Sequence, residues 1–444
     1  MSSSAETVAN IEGLLKQILI SVPALSLIRF KCVSKHWLSL ISDPDFCRRH
    51  TLRNPNPKIS AFFSSQTNED TTINSITLGS PSGNPFKTLA NSASGLRILQ
   101  SCNGLFLCYV EFPGEEEERN YPPVYVVNPT TNKFRALSAP SLAKKEEMYM
   151  FVRYGLAFDP SKSPHYTVVC VSHDILRGKR HSIEIYSSET GTWVKRFKAL
   201  FFPSPSDEGR HIDTRRMPMH FDERSREGAV YCNGAIHWIR NRWEASLPFC
   251  SETDGVVETV GFERSKLDVL HYYDVGEESL RLAAATPPVP LVVKNIPLEK
   301  EQNFPTEFPH LIDRYFGESG GGCLYLIEVF EHCKTQFEVM EMERDYSGWF
   351  VKYHVDLSPV VAPLPGQDPN AFVVLFLSRD VETDGEDSST DLWLHMPGKV
   401  VSYNLRNKSF KTSVELSNRE LFLALDDDEY EGDNYPYMET LACV

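Results

Sequence analysis

Val124-Tyr125-Val126-Val127-Asn128-Pro129-Thr130-Thr131-Asn132-Lys133-Phe134 is the stretch that decides the fold. An apolar β-rich run ends in a polar residue, turn formers follow, and an aromatic residue arrives six positions after the polar one, as in a hairpin. The arrangement recurs from Ser187 to Trp193, Asp274 to Leu280 and Asn404 to Phe410, and with two extra residues from Glu341 to Trp349. Successive polar markers stand 59, 87, 67 and 63 residues apart, a mean of 69. That period, carried by short strands, points to a radially repeated all-β architecture, and the chain beyond residue 54 accommodates about six units.

A second marker precedes three of these hairpins: Ser101-Cys102-Asn103-Gly104-Leu105, Tyr231-Cys232-Asn233-Gly234-Ala235-Ile236-His237-Trp238 and Gly320-Gly321-Gly322-Cys323-Leu324-Tyr325. Glycine there permits a positive φ in a tight turn between strands. Further β-rich runs fall at Ile59 to Phe63, Leu105 to Val110, Thr167 to Val171, Ile183 to Tyr186, Val269 to Tyr273, Leu324 to Phe330, Phe337 to Met342, Phe372 to Leu377 and Val400 to Leu405. Long inserts interrupt them at Glu111 to Pro122, Phe202 to Arg226, Pro287 to Pro309, Val361 to Asn370 and Asp426 to Asn434. Loops at the rim of a rigid scaffold are where binding residues collect. The insert from 203 to 226, with Arg210, Arg215, Arg216, Arg224 and Arg226, is locally basic and suited to an acidic or phosphorylated segment.

The first fifty residues have a different texture. Ile11, Leu14, Leu15, Ile18 and Leu19 form one helical stripe; Leu25, Ile28, Val33, Trp37 and Leu40 continue on others. Pro23 suits a first helical turn, Ser34 is placed to cap a further short helix, and Ser42-Asp43-Pro44 reads as a stop, giving about three short helices. Charge divides at the same place. Seven basic and four acidic side chains give residues 1 to 53 a net +3, leaving -18 of the total -15 to the remainder. A strongly acidic ring argues against nucleic acid as the target and leaves a protein, a basic one being complementary in charge, as the default.

The run Ile18-Leu19, Val22-Pro23, Leu25, Leu27-Ile28-Arg29-Phe30-Lys31-Cys32-Val33-Ser34-Lys35-His36-Trp37, Leu40-Ile41-Ser42-Asp43-Pro44-Asp45-Phe46 resembles the F-box, in the form found in large plant F-box families. The degenerate repeat resembles the kelch-like, F-box-associated β-propeller of the same families, and Tyr437-Met438-Glu439-Thr440-Leu441 resembles their closing segment. The resemblance implies a mainly β chain: a small all-α F-box module over residues 10–52 and a kelch-like propeller of about six blades over 57–444. A terminal strand completing the ring would remove a free edge. It further implies a substrate-recognition adaptor: the F-box docks on a Skp-type adaptor and through it a cullin scaffold in a ubiquitin ligase, and the propeller binds an unknown protein substrate. The docking residues expected on that basis are Ile18, Leu19, Val22, Pro23, Leu25, Leu27, Ile28, Val33 and Trp37. Where the family usually opens with Leu-Pro and an acidic residue, this chain reads Asn10-Ile11-Glu12-Gly13-Leu14. That departure motivates the alternative, a propeller interaction protein with a degenerate F-box not engaged in ubiquitin ligation.

Enzyme signatures are weak. Gly317-Glu318-Ser319-Gly320-Gly321 matches G-x-S-x-G, but a nucleophile elbow needs a helix after the serine and a strand is expected there. Asp380, Glu382 and Asp384 with Asp391 mimic a calcium loop, yet both flanks read as strands and an acidic hairpin is expected. Cys232 and His237 are a lone pair suited to interior packing, and Asn407-Lys408-Ser409 is a glycosylation acceptor only in a secreted chain. A copper oxidase of the kelch type would need a tyrosine and histidine constellation that no spacing suggests. No catalytic residue, metal or cofactor is expected. Ten scattered cysteines without CxxC fit reduced thiols. The apolar run from Ile18 to Ile28 lacks a preceding basic segment and passes straight into Arg29, so cytoplasm or nucleus, with no membrane association, is the expected location.

Overall fold

A computed structural model describes residues 12–54, 59–66, 73–78, 86, 96–110, 123–140, 150–174, 181–196, 229–239, 269–285, 311–319, 322–330, 333, 335–361, 372–379, 390–416 and 432–444. Helices come first: α1 (Glu12–Leu19), α2 (Ala24–Phe30), α3 (Lys35–Ser42) and α4 (Pro44–Arg53). Pro23, at φ -55°, precedes α2, and the Ser34 hydroxyl accepts from the Trp37 N–H at 3.1 Å to cap α3. The expected three helices are four. Asp43 closes α3 and opens α4, its carboxylate accepting the Asp45 N–H at 2.8 Å while Pro44 occupies the first turn, so the apparent stop is also a start.

Five four-stranded antiparallel sheets follow, each in sequential order. They are β3 (Leu96–Cys102), β4 (Leu105–Val110), β5 (Val124–Asn128) and β6 (Lys133–Ala136); β7 (Met150–Ala157), β8 (Thr167–Asp174), β9 (His181–Ser187) and β10 (Thr192–Arg196); β11 (Val230–Cys232), β12 (Ala235–Trp238), β13 (Val269–Asp274) and β14 (Ser279–Ala285); β15 (Leu311–Glu318), β16 (Leu324–Phe330), β17 (Gln336–Met342) and β18 (Trp349–Asp356); and β19 (Val373–Arg379), β20 (Thr390–Met396), β21 (Lys399–Asn404) and β22 (Phe410–Glu415). A sixth sheet joins β1 (Ile59–Gln66) and β2 (Ile73–Thr77) to β23 (Gly432–Met438) in the order β2-β1-β23. This is a six-bladed β-propeller. The first strand of each blade touches the first strand of the next, and β23 takes that inner place between β19 and β3. The ring therefore closes by pairing the last strand with the first, Phe63 opposite Tyr435, which covers the edge that β1 would otherwise leave free.

The repeat seen in the sequence is the hairpin between the third and fourth strands of five blades. In four blades the residue before the polar marker pairs with the aromatic or apolar residue after it, Val127 with Phe134, Tyr186 with Trp193, Tyr273 with Leu280 and Tyr403 with Phe410; in the longer repeat Met342, which follows the marker Glu341, pairs with Trp349. The Asn-Gly markers are the turns between first and second strands, with Asn103 and Gly104 at φ 47° and 83° and Asn233 and Gly234 at φ 50° and 82°. Both central residues at positive φ make the turn type that matches strand twist. Each asparagine also reaches the following blade, Asn103 donating to the Phe158 carbonyl at 2.7 Å and Asn233 to that of Gly322.

Inner strands are stapled by buried polar side chains. Gln100, 2% exposed, accepts the Leu156 N–H at 2.6 Å and donates to the Leu156 carbonyl at 2.9 Å. Asp313 accepts the Val374 N–H at 3.0 Å, and the Tyr435 hydroxyl donates to the Ile98 carbonyl at 2.7 Å. Apolar clusters fill the wedges between blades; one joins Phe63, Phe86 and Phe106 to Tyr437, with Phe63 and Phe86 edge to face at 4.8 Å. Sequential antiparallel pairing puts every first-to-second and third-to-fourth turn at one end of the ring. The connections from second to third strands and between blades depart from the other. All five expected inserts belong to the second group; apart from Val361 and the stretch from Gly432 to Asn434, which opens β23, they lie outside the described residues. No described helix is long and apolar enough to cross a membrane.

Candidate functional site

The helical module and the segment that follows β23 form one packed unit at the turn-bearing end of the first blade. From Glu439 to Val444 the chain crosses that blade's two turns. The Asn128 amide donates to the carbonyls of Thr440 at 3.2 Å and Ala442 at 2.7 Å, and the Thr130 hydroxyl accepts the Thr440 N–H at 3.0 Å. Gly104 lies so close beneath that a Cβ there would meet the Met438 carbonyl oxygen at 2.6 Å. The marker Asn128 thus ends a strand, orders its turn through the N–H groups of Thr130 and Thr131, and fastens the closing segment.

That segment enters the helical core. Leu441, 2% exposed, packs in one cluster with Leu15, Leu19, Ala24, Leu27, Leu40, Ile41, Phe46 and Cys47. Glu439 accepts the Leu25 N–H at 3.0 Å, giving a carboxylate to the first turn of α2 where N–H groups lack helical partners. Within the module, α4 is tied back to the link between α1 and α2. The ring of His50 meets the Val22 carbonyl at 2.8 Å and the Asn54 amide donates to that of Ile20 at 3.0 Å. Burial holds the His50 imidazole below its ordinary pKa. Phe30 and Trp37 meet edge to face at 5.7 Å.

Of the nine docking residues expected from the sequence, Ile18, Pro23 and Val33 are exposed, Ile18 at 49% and Val33 at 60%. Val22, Leu25, Ile28 and Trp37 are half-buried. Leu19 and Leu27 are wholly inside the module's own core and hold it together rather than face outward. Leu14, Leu38 and Leu52 are exposed and were not among the nine. Spacing was the available signal for Leu14, which stands four residues before Ile18 and so shares its face of α1. The module therefore buries one side on itself and Leu441 and leaves large apolar side chains on its outside, an arrangement suited to a protein partner.

A family model for the F-box domain matches residues 12–49, from the start of α1 into α4. The chain carries an F-box. F-box protein At5g07610 of Arabidopsis thaliana is 29% identical across 100% of this chain and 93% of its own length. The F-box/kelch-repeat protein At3g23880 of the same plant is 24% identical over 54% of this chain and 60% of that protein, and F-box protein At5g49610 is 28% identical over 50% and 56%. The chain is thus an F-box module followed by a six-bladed propeller, and the F-box core is completed by a residue, Leu441, from beyond the ring's last strand.

Parts of the enzyme-like motifs fall on described residues. Ser319 is 2% exposed between β15 and β16, with a strand after it. The acidic run from 380 to 389 lies outside the described residues, and both its flanks are strands. His237 is fully buried, stacked on Tyr272 and Tyr346 and within 2.8 Å of the Tyr346 hydroxyl; burial pushes its pKa down to about 4. Among the described residues no group of three His, Cys, Asp or Glu side chains is arranged to hold a metal.

Proposed function

We propose that this protein is a substrate adaptor of a cullin-based ubiquitin ligase, docking on a Skp-type adaptor through the F-box and binding a protein substrate through the propeller. The observation that carries the reading is the division of the F-box surface. Its inner side is closed by Leu441 of the segment that follows β23, whereas Leu14, Ile18, Val33 and Leu38 remain outside. The relatives' F-box names agree with it. Catalysis would be proximity: a tethered substrate meets the charged conjugating enzyme at high effective concentration. Substrate is assigned to the ring end opposite the F-box, from which all five inserts depart, so one end recruits the ligase and the other selects. The kelch-like character of the blades and an intracellular setting belong to the same reading.

Proximity labelling in cells, comparing the intact chain with Ile18→Asp/Val33→Asp, tests the whole. Both substitutions are at exposed positions, so the fold survives, unlike deletion of the helices, which would uncover Leu441. Proteins that accumulate on the variant and turn over on the intact chain support the reading. Identical labelling and turnover with both contradict it.

A further inference from the structure

We propose that the ring licenses the F-box: the helical core is completed only in a chain whose propeller has closed, so that, on the adaptor reading, ligase recruitment is withheld until the substrate-binding domain is whole. The two strands that close the ring are also the two that lead into the F-box. In their antiparallel pairing Ile59 stands opposite Met438. From that point one side runs back through residues 55–58 toward α4, and the other runs on through Glu439 into the helical core. More than 380 residues of sequence separate α4 from Leu441, and the entropy of closing a loop of that length opposes the leucine's return to the helices. Pairing of β23 with β1 has already closed that loop.

The closing segment is a two-sided strip. Glu439 and Leu441 face the F-box, one through the Leu25 N–H at 3.0 Å and the other through the apolar cluster of the helices. Alternate residues face the ring. The Thr440 side chain lies over Gly104, its Cγ2 2.7 Å from where a Cβ would stand, and Ala442 and Val444 pack against the apolar cluster between the first and second blades. That alternation is the period of an extended chain.

The ring grips its side of the strip with its own polar groups. Asn128, fully buried, donates from its amide to the carbonyls of Thr440 and Ala442, and the Thr130 hydroxyl accepts the Thr440 N–H and stands 2.9 Å from the Tyr437 hydroxyl. The Ser101 hydroxyl donates to the Pro436 carbonyl at 2.6 Å. None of these three side chains belongs to the helical cluster, so they act on the F-box through the strip. The same marker position in the fifth blade supplies a control. Asn404 also orders its turn, accepting the Arg406 and Asn407 N–H groups at 3.1 and 3.0 Å, but its amide donates to Asp391 Oδ1 at 2.8 Å within its own blade.

Amide hydrogen exchange on the full-length protein, comparing Asn128→Asp with Asn404→Asp, is the test. Each substitution keeps the oxygen that orders the turn and replaces an amide donor by a second oxygen, facing two carbonyls at 128 and a carboxylate at 404. Asn128→Asp is expected to accelerate exchange in α1, α3 and α4 by about tenfold or more, and to weaken binding of a purified Skp-type adaptor by a similar factor. Asn404→Asp is expected to leave both unchanged. Thr130→Val, which removes the hydroxyl that holds Thr440, is read in the same way and replaces Asn128→Asp if that variant does not fold. Helical exchange that neither Asn128→Asp nor Thr130→Val accelerates, or that Asn404→Asp accelerates equally, overturns the proposal, as does undiminished adaptor binding despite faster exchange. A parent chain that binds no adaptor refutes the adaptor reading instead, and the exchange comparison still decides whether the ring completes the F-box.

Discussion

Leu441→Ala removes one side chain from the closing segment and should loosen an F-box that begins more than 380 residues away. The leucine is 2% exposed and surrounded by Leu15, Leu19, Leu27, Leu40, Ile41 and Phe46. Truncating such a side chain costs about 2–5 kcal/mol, the transfer of the lost carbons plus the cavity left behind. A module this small has little other core, so the loss falls on the F-box rather than on the ring. Amide hydrogen exchange reads it locally. A loss of about 2 kcal/mol in opening free energy, at the lower end, accelerates exchange roughly 30-fold. That acceleration is expected for the amides of α1, α3 and α4, with β8, β9, β16 and β17 unchanged. Phe410→Ala, at a side chain 53% exposed on β22, is the control and should change stability by no more than about 0.5 kcal/mol. Less than threefold acceleration in the F-box would refute the account of Leu441 as part of its core.

Gly104→Ala and Gly234→Ala separate backbone conformation from close approach. Both glycines have φ near +82°, which costs any L-residue about 1–2 kcal/mol, but only Gly104 has the Met438 carbonyl within 2.6 Å of the new Cβ. Gly104→Ala should lower the melting temperature clearly more than Gly234→Ala; equal shifts would mean the closing segment does not press on that turn. Gln100→Leu orphans the buried N–H and C=O of Leu156 and should cost about 2–6 kcal/mol in urea unfolding, a loss below 1 kcal/mol being incompatible with the staple. The folded His237 pKa of about 4 lies below the unfolded value near 6.5, so the unfolded chain binds the extra proton in that window. The corresponding stability is present above about pH 6.5 and falls, by about 3 kcal/mol at most, as pH drops toward 4. His237→Gln should make that slope of unfolding free energy against pH shallower; an identical slope would show that another group governs it.

Local features of the fold were legible and remote ones were not. The five polar markers could be read because the third-to-fourth hairpin confines its chemistry to seven to nine consecutive residues, as from Asn128 to Phe134. Asn103-Gly104 announced its turn because two successive positive φ angles leave few other residue choices. Asp43-Pro44 was read as a stop because proline ends one helix by the same property that lets it begin another. In the docking set, periodicity identified the apolar stripe but could not say which side of it faces inward. Leu19 and Leu27 turned inward, whereas Ile18 and Val33 turned out. Leu441 carried no local sign of a role in the F-box, because its packing depends on ring closure, which brings β23 beside β1.

The measurement closest to the central claim is gel filtration of the purified chain with a purified Skp-type adaptor. A one-to-one complex is expected, lost in Ile18→Asp/Val33→Asp while the variant's melting temperature stays within a few degrees of the parent. Absence of a complex with the parent chain, or a complex that both substitutions leave intact, would contradict the assignment of this F-box surface to ligase recruitment.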